Sequence, residues 1–200
     1  VVCAEDKAID LAVEKNGGRA ILTGNYHKNG TERIHEGLQK LQIAGVDYVI
    51  SLQGDEPQIN PEDIKNLYKH VNENNSDIGT LAAKIDEDKI FDNANIVKVK
   101  TQEKLKDNNF VLAKDFSRKN LSKESSNVYH HIGIYCYKVS ILKKYVSLKH
   151  TQNEIKNRLE QLRALDNNIK IKVALARSSP IGIDTKEDYI ALKKIMEYKS

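Results

Sequence analysis

The sequence predicts an α/β fold in which a mainly parallel sheet is flanked by helices and carries an inserted antiparallel strand region. Three observations predict it. Short apolar runs alternate with helically spaced apolar residues over residues 1–83, and each connection is short. In the middle of the chain, strand-like runs at 96–100, 110–114 and 129–137 follow one another with little helix between them. Neither an internal repeat nor a linker interrupts the rhythm, so one domain spans residues 1–200. Strands separated by helices need crossover connections and lie parallel in a sheet covered on both faces, whereas successive strands without helices pair antiparallel.

Taken in order, residues 1–4 already read as a strand. Over residues 6–14, Ile9, Ala12 and Val13 fall at i, i+3 and i+4, and Gly17-Gly18 stops the helix. Residues 20–22 form a short strand and 24–30 a polar loop, after which Thr31 is the expected N-cap of a helix with Ile34, Leu38 and Leu41 on one face. The β-prone run 46–52 ends abruptly at Gln53-Gly54-Asp55-Glu56-Pro57. Asn60-Pro61-Glu62-Asp63 is a helix start, with a cap, a first-position Pro and acids on the positive dipole end. Ile64, Leu67, Tyr68 and Val71 form its expected buried stripe, and 78–83 is the next strand. Beyond the antiparallel region and its polar, expectedly mobile loop at 117–127, helices are expected at 140–146, 153–165 and 185–198, with a strand at 169–176. Thr185 and Asp188 are spaced as a capping pair for the last helix.

Composition excludes several classes of function. Hydrophobic residues at 40% and charged residues at 30% are ordinary for a chain with an enclosed core. Mean hydropathy is −0.57, and no apolar run approaches the roughly 20 residues a membrane span requires. A net charge of +4 with scattered lysines lacks the clustered basic face that nucleic acid demands. Cys3 and Cys136 are too few for a disulfide framework, which favours a reducing, cytoplasmic setting. The chain opens at Val1 inside a strand, without Met or a secretory signal pattern, and so reads as a fragment.

Chemistry concentrates at a few places. Asp55 and Glu56 stand at the carboxyl end of an expected central strand, where open α/β sheets hold their ligands, and carboxylates there suit Mg²⁺. The same residues also suit a plain strand-ending turn. Asp184 precedes the last helix, where an acid is equally a cap, yet it occupies the same kind of junction as Asp55. The loop 27–33 opens a helix and could turn backbone N–H groups toward an anion or stay an ordinary capped loop. Arg118 offers a bidentate grip on a carboxylate, or is merely solvated. His131, Gly133 and Tyr135 alternate onto one strand face, and no third partner at metal spacing points to zinc. Glu160, Gln161 and Arg163 are either a polar lining or the solvent face of a late helix. Walker, G-x-S-x-G and H-E-x-x-H patterns are absent from the sequence.

Taken together, HKNGTER (27–33), LQGDEP (52–57), NANIVKV (93–99), FSR (116–118), HIGIY (131–135), LEQLRAL (159–165) and GIDTKED (182–188) resemble the 3-deoxy-manno-octulosonate cytidylyltransferase family, the CMP-KDO synthetases of lipopolysaccharide synthesis, over essentially the whole chain. The resemblance implies a Rossmann-like nucleotidyltransferase fold of the glycosyltransferase-A-like type, and a homodimer formed through the antiparallel region. It implies attack of the anomeric hydroxyl of KDO on the α-phosphorus of CTP, giving CMP-KDO and pyrophosphate with Mg²⁺ held by Asp55 and Asp184. By position, Arg118, His131, Tyr135, Glu160 and Gln161 match the sugar-acid pocket, and Gly30, Thr31, Arg33 and Gln53 the nucleotide side. The chain departs from the pattern at His130, where Arg is usual, at Thr151-Gln152-Asn153-Glu154, and by one Gly before Asp184. The family's opening strand and basic glycine loop precede its first residue, so this 200-residue chain is expected to turn over poorly or not at all. Activation of another acidic sugar, of sialic-acid type, is the nearest alternative. A non-catalytic remnant that only binds nucleotide or partner chains is the other.

Overall fold

Helix capping by short polar side chains settles where most helices begin. In a computed structural model, residues 1–85, 93–119, 126–178, 182–183 and 185–197 are described. Strands β1 (Val2–Ala4) and β2 (Ala20–Leu22) pair in parallel around helix α1 (Lys7–Lys15), whose cap Asp6 accepts the Ala8 N–H at 2.7 Å. Helix α2 (Gly30–Leu41) is capped by Asn29, which accepts the Glu32 N–H at 2.9 Å, and not by Thr31. A cap must sit on extended backbone just before the first turn; Asn29 does, while Thr31 is already inside it. Strand β3 (Tyr48–Ser51) leads to helix α3 (Pro61–Glu73), which begins at the Asn60 cap as expected. Leu67 and Val71 are buried on α3, whereas Tyr68 is exposed and meets Tyr48 edge-on.

Strands β4 (Ile78–Ala83), β5 (Lys98–Thr101), β6 (Val111–Ser117) and β7 (Val128–Lys138) follow, then helix α4 (Val139–Val146). The helix expected over 153–165 is broken into α5 (Gln152–Asn157) and α6 (Leu162–Asp166). Arg158 between them is left-handed at φ 52°, which ends α5 and re-aims the chain, so Glu160 and Gln161 fall in a turn. Strand β8 (Ile171–Leu175) and helix α7 (Lys186–Glu197) complete the chain, and Thr185 and Asp188 bond reciprocally as the expected capping pair.

The six-stranded sheet has the order β3-β7-β4-β8-β6-β5. Strands β3, β4 and β8, which alternate with helices, point the same way, and β4 pairs with β8 in parallel. Strand β7 runs antiparallel between β3 and β4, so its neighbours meet it in the opposite sense. Strand β5 also pairs with the first residues of β7, which closes β7, β4, β8, β6 and β5 into a ring. Closure leaves the inserted region without an open edge along that ring. One core cluster packs Phe116, Tyr137, Leu142, Tyr145 and Leu162; another packs Leu67, Val71, Leu81, Ile132 and Ile134.

Two tethers position the site. Buried Asp63, in the first turn of α3, accepts the Arg177 N–H at 3.1 and 3.2 Å and anchors the chain leaving β8. Further on, the Ile183 N–H donates to the Asp55 carbonyl at 2.9 Å. Asp184 itself, residues 120–125 of the expected loop and the end of the expected last helix lie outside the described residues.

Candidate active site

The acid at the end of β3 is presented by a tight turn, in which the Glu56 N–H donates to the Gln53 carbonyl at 3.3 Å. Asp55 is exposed, and its carboxylate takes no hydrogen bond from another described residue. An open, hard oxygen donor of this kind fits Mg²⁺, which binds through one or two carboxylates and completes its shell with water and phosphate oxygens. Ile183, bonded to the Asp55 backbone, is the chain neighbour of the second expected ligand, Asp184.

Beside this acid, the expected nucleotide residues Gly30, Arg33 and Gln53 line one cavity of about 900 Å³, together with Cys3 and Ser51. A Cβ on Gly30 would lie 3.2 Å from the Gln53 amide nitrogen, so the absence of a side chain lets α2 approach β3's turn. Arg33 is engaged within the protein: its guanidinium donates to Thr23 at 2.8 Å and to the Gly24 carbonyl at 3.2 Å, and pairs with Glu5. The loop ahead of α2 is stapled by Glu36, which bonds His27, Lys40 and the Gly24 N–H. The Lys40 and His27 bonds, with that N–H, pull its pKa down to about 2.

An aromatic series rises from β7. His131 and Tyr135 rings lie 5.5 Å apart, Tyr135 and Tyr137 5.6 Å, and Tyr137 and Tyr145 6.4 Å. Thr31, freed from capping, reaches the Tyr137 hydroxyl at 3.3 Å. Tyr145 donates to the Glu160 carbonyl at 2.7 Å and carries the Arg163 guanidinium over its ring at 4.5 Å. Arg163 is 1% exposed, so the solvent-face reading of that residue is excluded. It pairs with Glu160 at 3.3 Å and Glu154 at 3.4 Å, while Gln161 is buried next to it. Burial raises the Glu160 pKa, and Thr31 and Arg163 hold that rise in check. Arg118 is exposed and uses one donor on the Asn95 carbonyl at 2.8 Å. Beneath it, buried Lys98 donates to the Asn93 and Arg118 carbonyls at 2.6 and 3.2 Å, fixing the backbone that carries Arg118.

The structure thus brings Gly30, Arg33 and Gln53 together around one cavity, joins Thr31, His131 and Tyr135 through the aromatic series of β7, and leaves Glu160 and Gln161 beside buried Arg163; a Cβ on Gly133 would lie 3.9 Å from Gln53. Sequence reasoning missed Thr80, Lys98 and Tyr137. Alternation along β7 places Tyr137 on the His131 and Tyr135 face, and Thr80 is the lone polar residue of an otherwise apolar strand.

Burial pushes the His131 pKa down to about 3, with His130 adding repulsion. Its folded pKa lies below the ordinary 6.5, so between these values the unfolded chain binds the extra proton and acid favours unfolding. Stability is full above pH 6.5 and falls as pH drops toward 3. From pH 6.5 to 4.5 this residue alone should cost about 2 kcal/mol. Urea unfolding across that range checks it: a His131→Gln variant should show a slope flatter by that amount, and an unchanged slope would contradict the assignment.

A cytidylyltransferase family model matches residues 1–171. That match, with an acid at a strand end facing a mixed α/β sheet, defines the class: this is a nucleotidyltransferase. The 3-deoxy-manno-octulosonate cytidylyltransferase of Thermodesulfovibrio yellowstonii is 42% identical, covering 98% of this chain and 80% of the relative. That of Afipia carboxidovorans is 38% identical over 98% and 79% of the two chains. A solved CMP:2-keto-3-deoxy-manno-octonic acid synthetase complexed with CTP superposes with a TM-score of 0.85 at 28% identity, covering 98% and 80%. The chain belongs to the 3-deoxy-manno-octulosonate cytidylyltransferase family.

Proposed function

We propose that this chain transfers the cytidylyl group of CTP to 3-deoxy-manno-octulosonate, giving CMP-KDO and pyrophosphate. The observation that carries the reading is, in a chain of this family, the run of contacts that leads from helix α2, whose Gly30 and Arg33 line the cavity, through Thr31, Tyr137 and Tyr145 to the buried Arg163 and its partner Glu160. In the reaction a sugar oxygen–phosphorus bond forms and the α–β phosphoanhydride bond breaks, so positioning and charge stabilisation do most of the work. Asp55 and Asp184 would hold Mg²⁺, which supplies charge neutralisation and a lower pKa for the attacking hydroxyl. Gly30, Thr31, Arg33 and Gln53 shape the nucleotide side. Arg118 meets the sugar carboxylate, while His131, Tyr135, Glu160 and Gln161 orient its hydroxyls. Neutral His131 and the buried tyrosines offer directional hydrogen bonds without adding charge to an anionic site.

The enzyme is further proposed to act as a cytoplasmic homodimer through the inserted region. No described helix is long and apolar enough to cross a membrane, and β5 is paired along both edges, so the contact would be made by side chains.

Incubating the full-length protein with CTP and KDO and following CMP-KDO and pyrophosphate tests the function. Product should form with Mg²⁺, cease with excess chelator, and return on adding the metal back. Turnover of N-acetylneuraminate in preference to KDO would move the assignment to a sialic-acid enzyme. Product formation that survives chelation would remove the metal from the mechanism.

A further inference from the structure

Thr80 is fully buried in β4, opposite an irregularity in β7: Thr80 faces Tyr135 but Leu81 faces Ile132, so Gly133 and Ile134 are looped out of register. Its hydroxyl fills that bulge. It reaches the Ile134 carbonyl at 2.7 Å, the Ile132 carbonyl at 3.3 Å and His131 Nε2 at 2.9 Å. A threonine hydroxyl has one hydrogen, and a carbonyl can only accept. The hydrogen therefore goes to Ile134, the nearest carbonyl, and the hydroxyl oxygen turns a lone pair to Nε2. Nε2 must then carry the ring's hydrogen. His131 is 7% exposed, with Phe116 edge-on at 5.0 Å and Tyr135 at 5.5 Å, surroundings that favour a neutral ring with a single N–H. Nδ1 is left bare, and it has no partner among the described residues.

We propose that Thr80 is a positioning residue that locks His131 in the Nε2–H tautomer, leaving Nδ1 as the acceptor for a hydroxyl of the acidic sugar. The tautomer half stands on geometry alone; the sugar half rests on the function proposed above. A histidine bearing its hydrogen on Nδ1 would turn a donor toward the same hydroxyl and lose that bond unless the hydroxyl turned round. Only the bulge makes the lock, because in regular register Thr80 could not meet both carbonyls flanking Gly133.

Nitrogen NMR of the ¹⁵N-histidine-labelled chain tests the tautomer without substrate. His131 should show a pyridine-type Nδ1 and a pyrrole-type Nε2; the reverse pattern overturns the proposal whether or not the enzyme turns over. Thr80→Val should shift the ring toward a mixture and Thr80→Ser should restore it, while an unchanged Thr80→Val spectrum also overturns it. Should Thr80→Val not fold, the parent and Thr80→Ser spectra still decide. KDO added without CTP should move the Nδ1 signal alone, and no movement at saturating KDO overturns the acceptor role. In turnover, Thr80→Val should raise KM for KDO about tenfold, the worth of one ordinary hydrogen bond, and leave KM for CTP unchanged. A full-length protein that forms no CMP-KDO defeats the functional reading and leaves the tautomer to the spectrum.

Discussion

Replacing Asp55 by Asn is expected to lower the rate of CMP-KDO formation about a thousandfold, the size of effect seen when a preorganised charge contact to a transition state is removed. The amide keeps an oxygen of similar shape but loses the charge that attracts a hard divalent cation. Because the Asp55 side chain is exposed and bonds no other described residue, folding should be untouched. Thermal unfolding of the variant should coincide with that of the parent, so a lost rate reads as lost chemistry. Raising Mg²⁺ should recover part of the activity, since weakened binding is opposed by mass action. Asp184→Asn should behave alike. Either variant retaining full activity would take that acid out of the reaction.

Replacing Arg163 by Met should cost about 3–5 kcal/mol of stability, the penalty for breaking a buried ion pair from one side. Arg163 ties Glu154, Glu160 and, at 4.0 Å, Glu32 around one guanidinium stacked on Tyr145. Burial by itself opposes the charge, yet Tyr145 and the neighbouring carboxylates outweigh it and raise the Arg163 pKa. Met fills similar volume but leaves buried Glu154 and half-buried Glu160 to repel each other. Glu160 should consequently become harder to ionise, which couples the fold to the proposed sugar pocket. Urea titration measures the loss; adding Glu154→Gln to Arg163→Met should recover a large part of it. A loss below about 1 kcal/mol would show that the cluster is solvated in the working enzyme.

Much of this architecture was legible along the chain because its causes are local. Asp6, Asn60 and the Thr185–Asp188 pair announce helix starts through bonds to residues two or three positions away. Apolar spacing announced α3's buried Leu67 and Val71. Where two local signals competed, the reading slipped. Asn29 displaced Thr31 as cap because both are good cap residues and only the backbone turn decides between them. The run 153–165 keeps helical spacing, yet a left-handed Arg158 splits it, and Ile155 is left 58% exposed.

From its sequence alone, this protein's strand–helix alternation, the caps Asp6, Asn60 and Thr185 and the ordered motifs that mark its family were determined, since each depends on neighbours a few bonds apart. Tertiary structure alone decided that β7 lies between β3 and β4, that Arg163 is enclosed, and that Thr80 meets His131 across 51 residues. Such contacts follow from which strand wins which edge, a competition among distant segments settled by packing and closure of the ring, and no short stretch of chain carries its outcome.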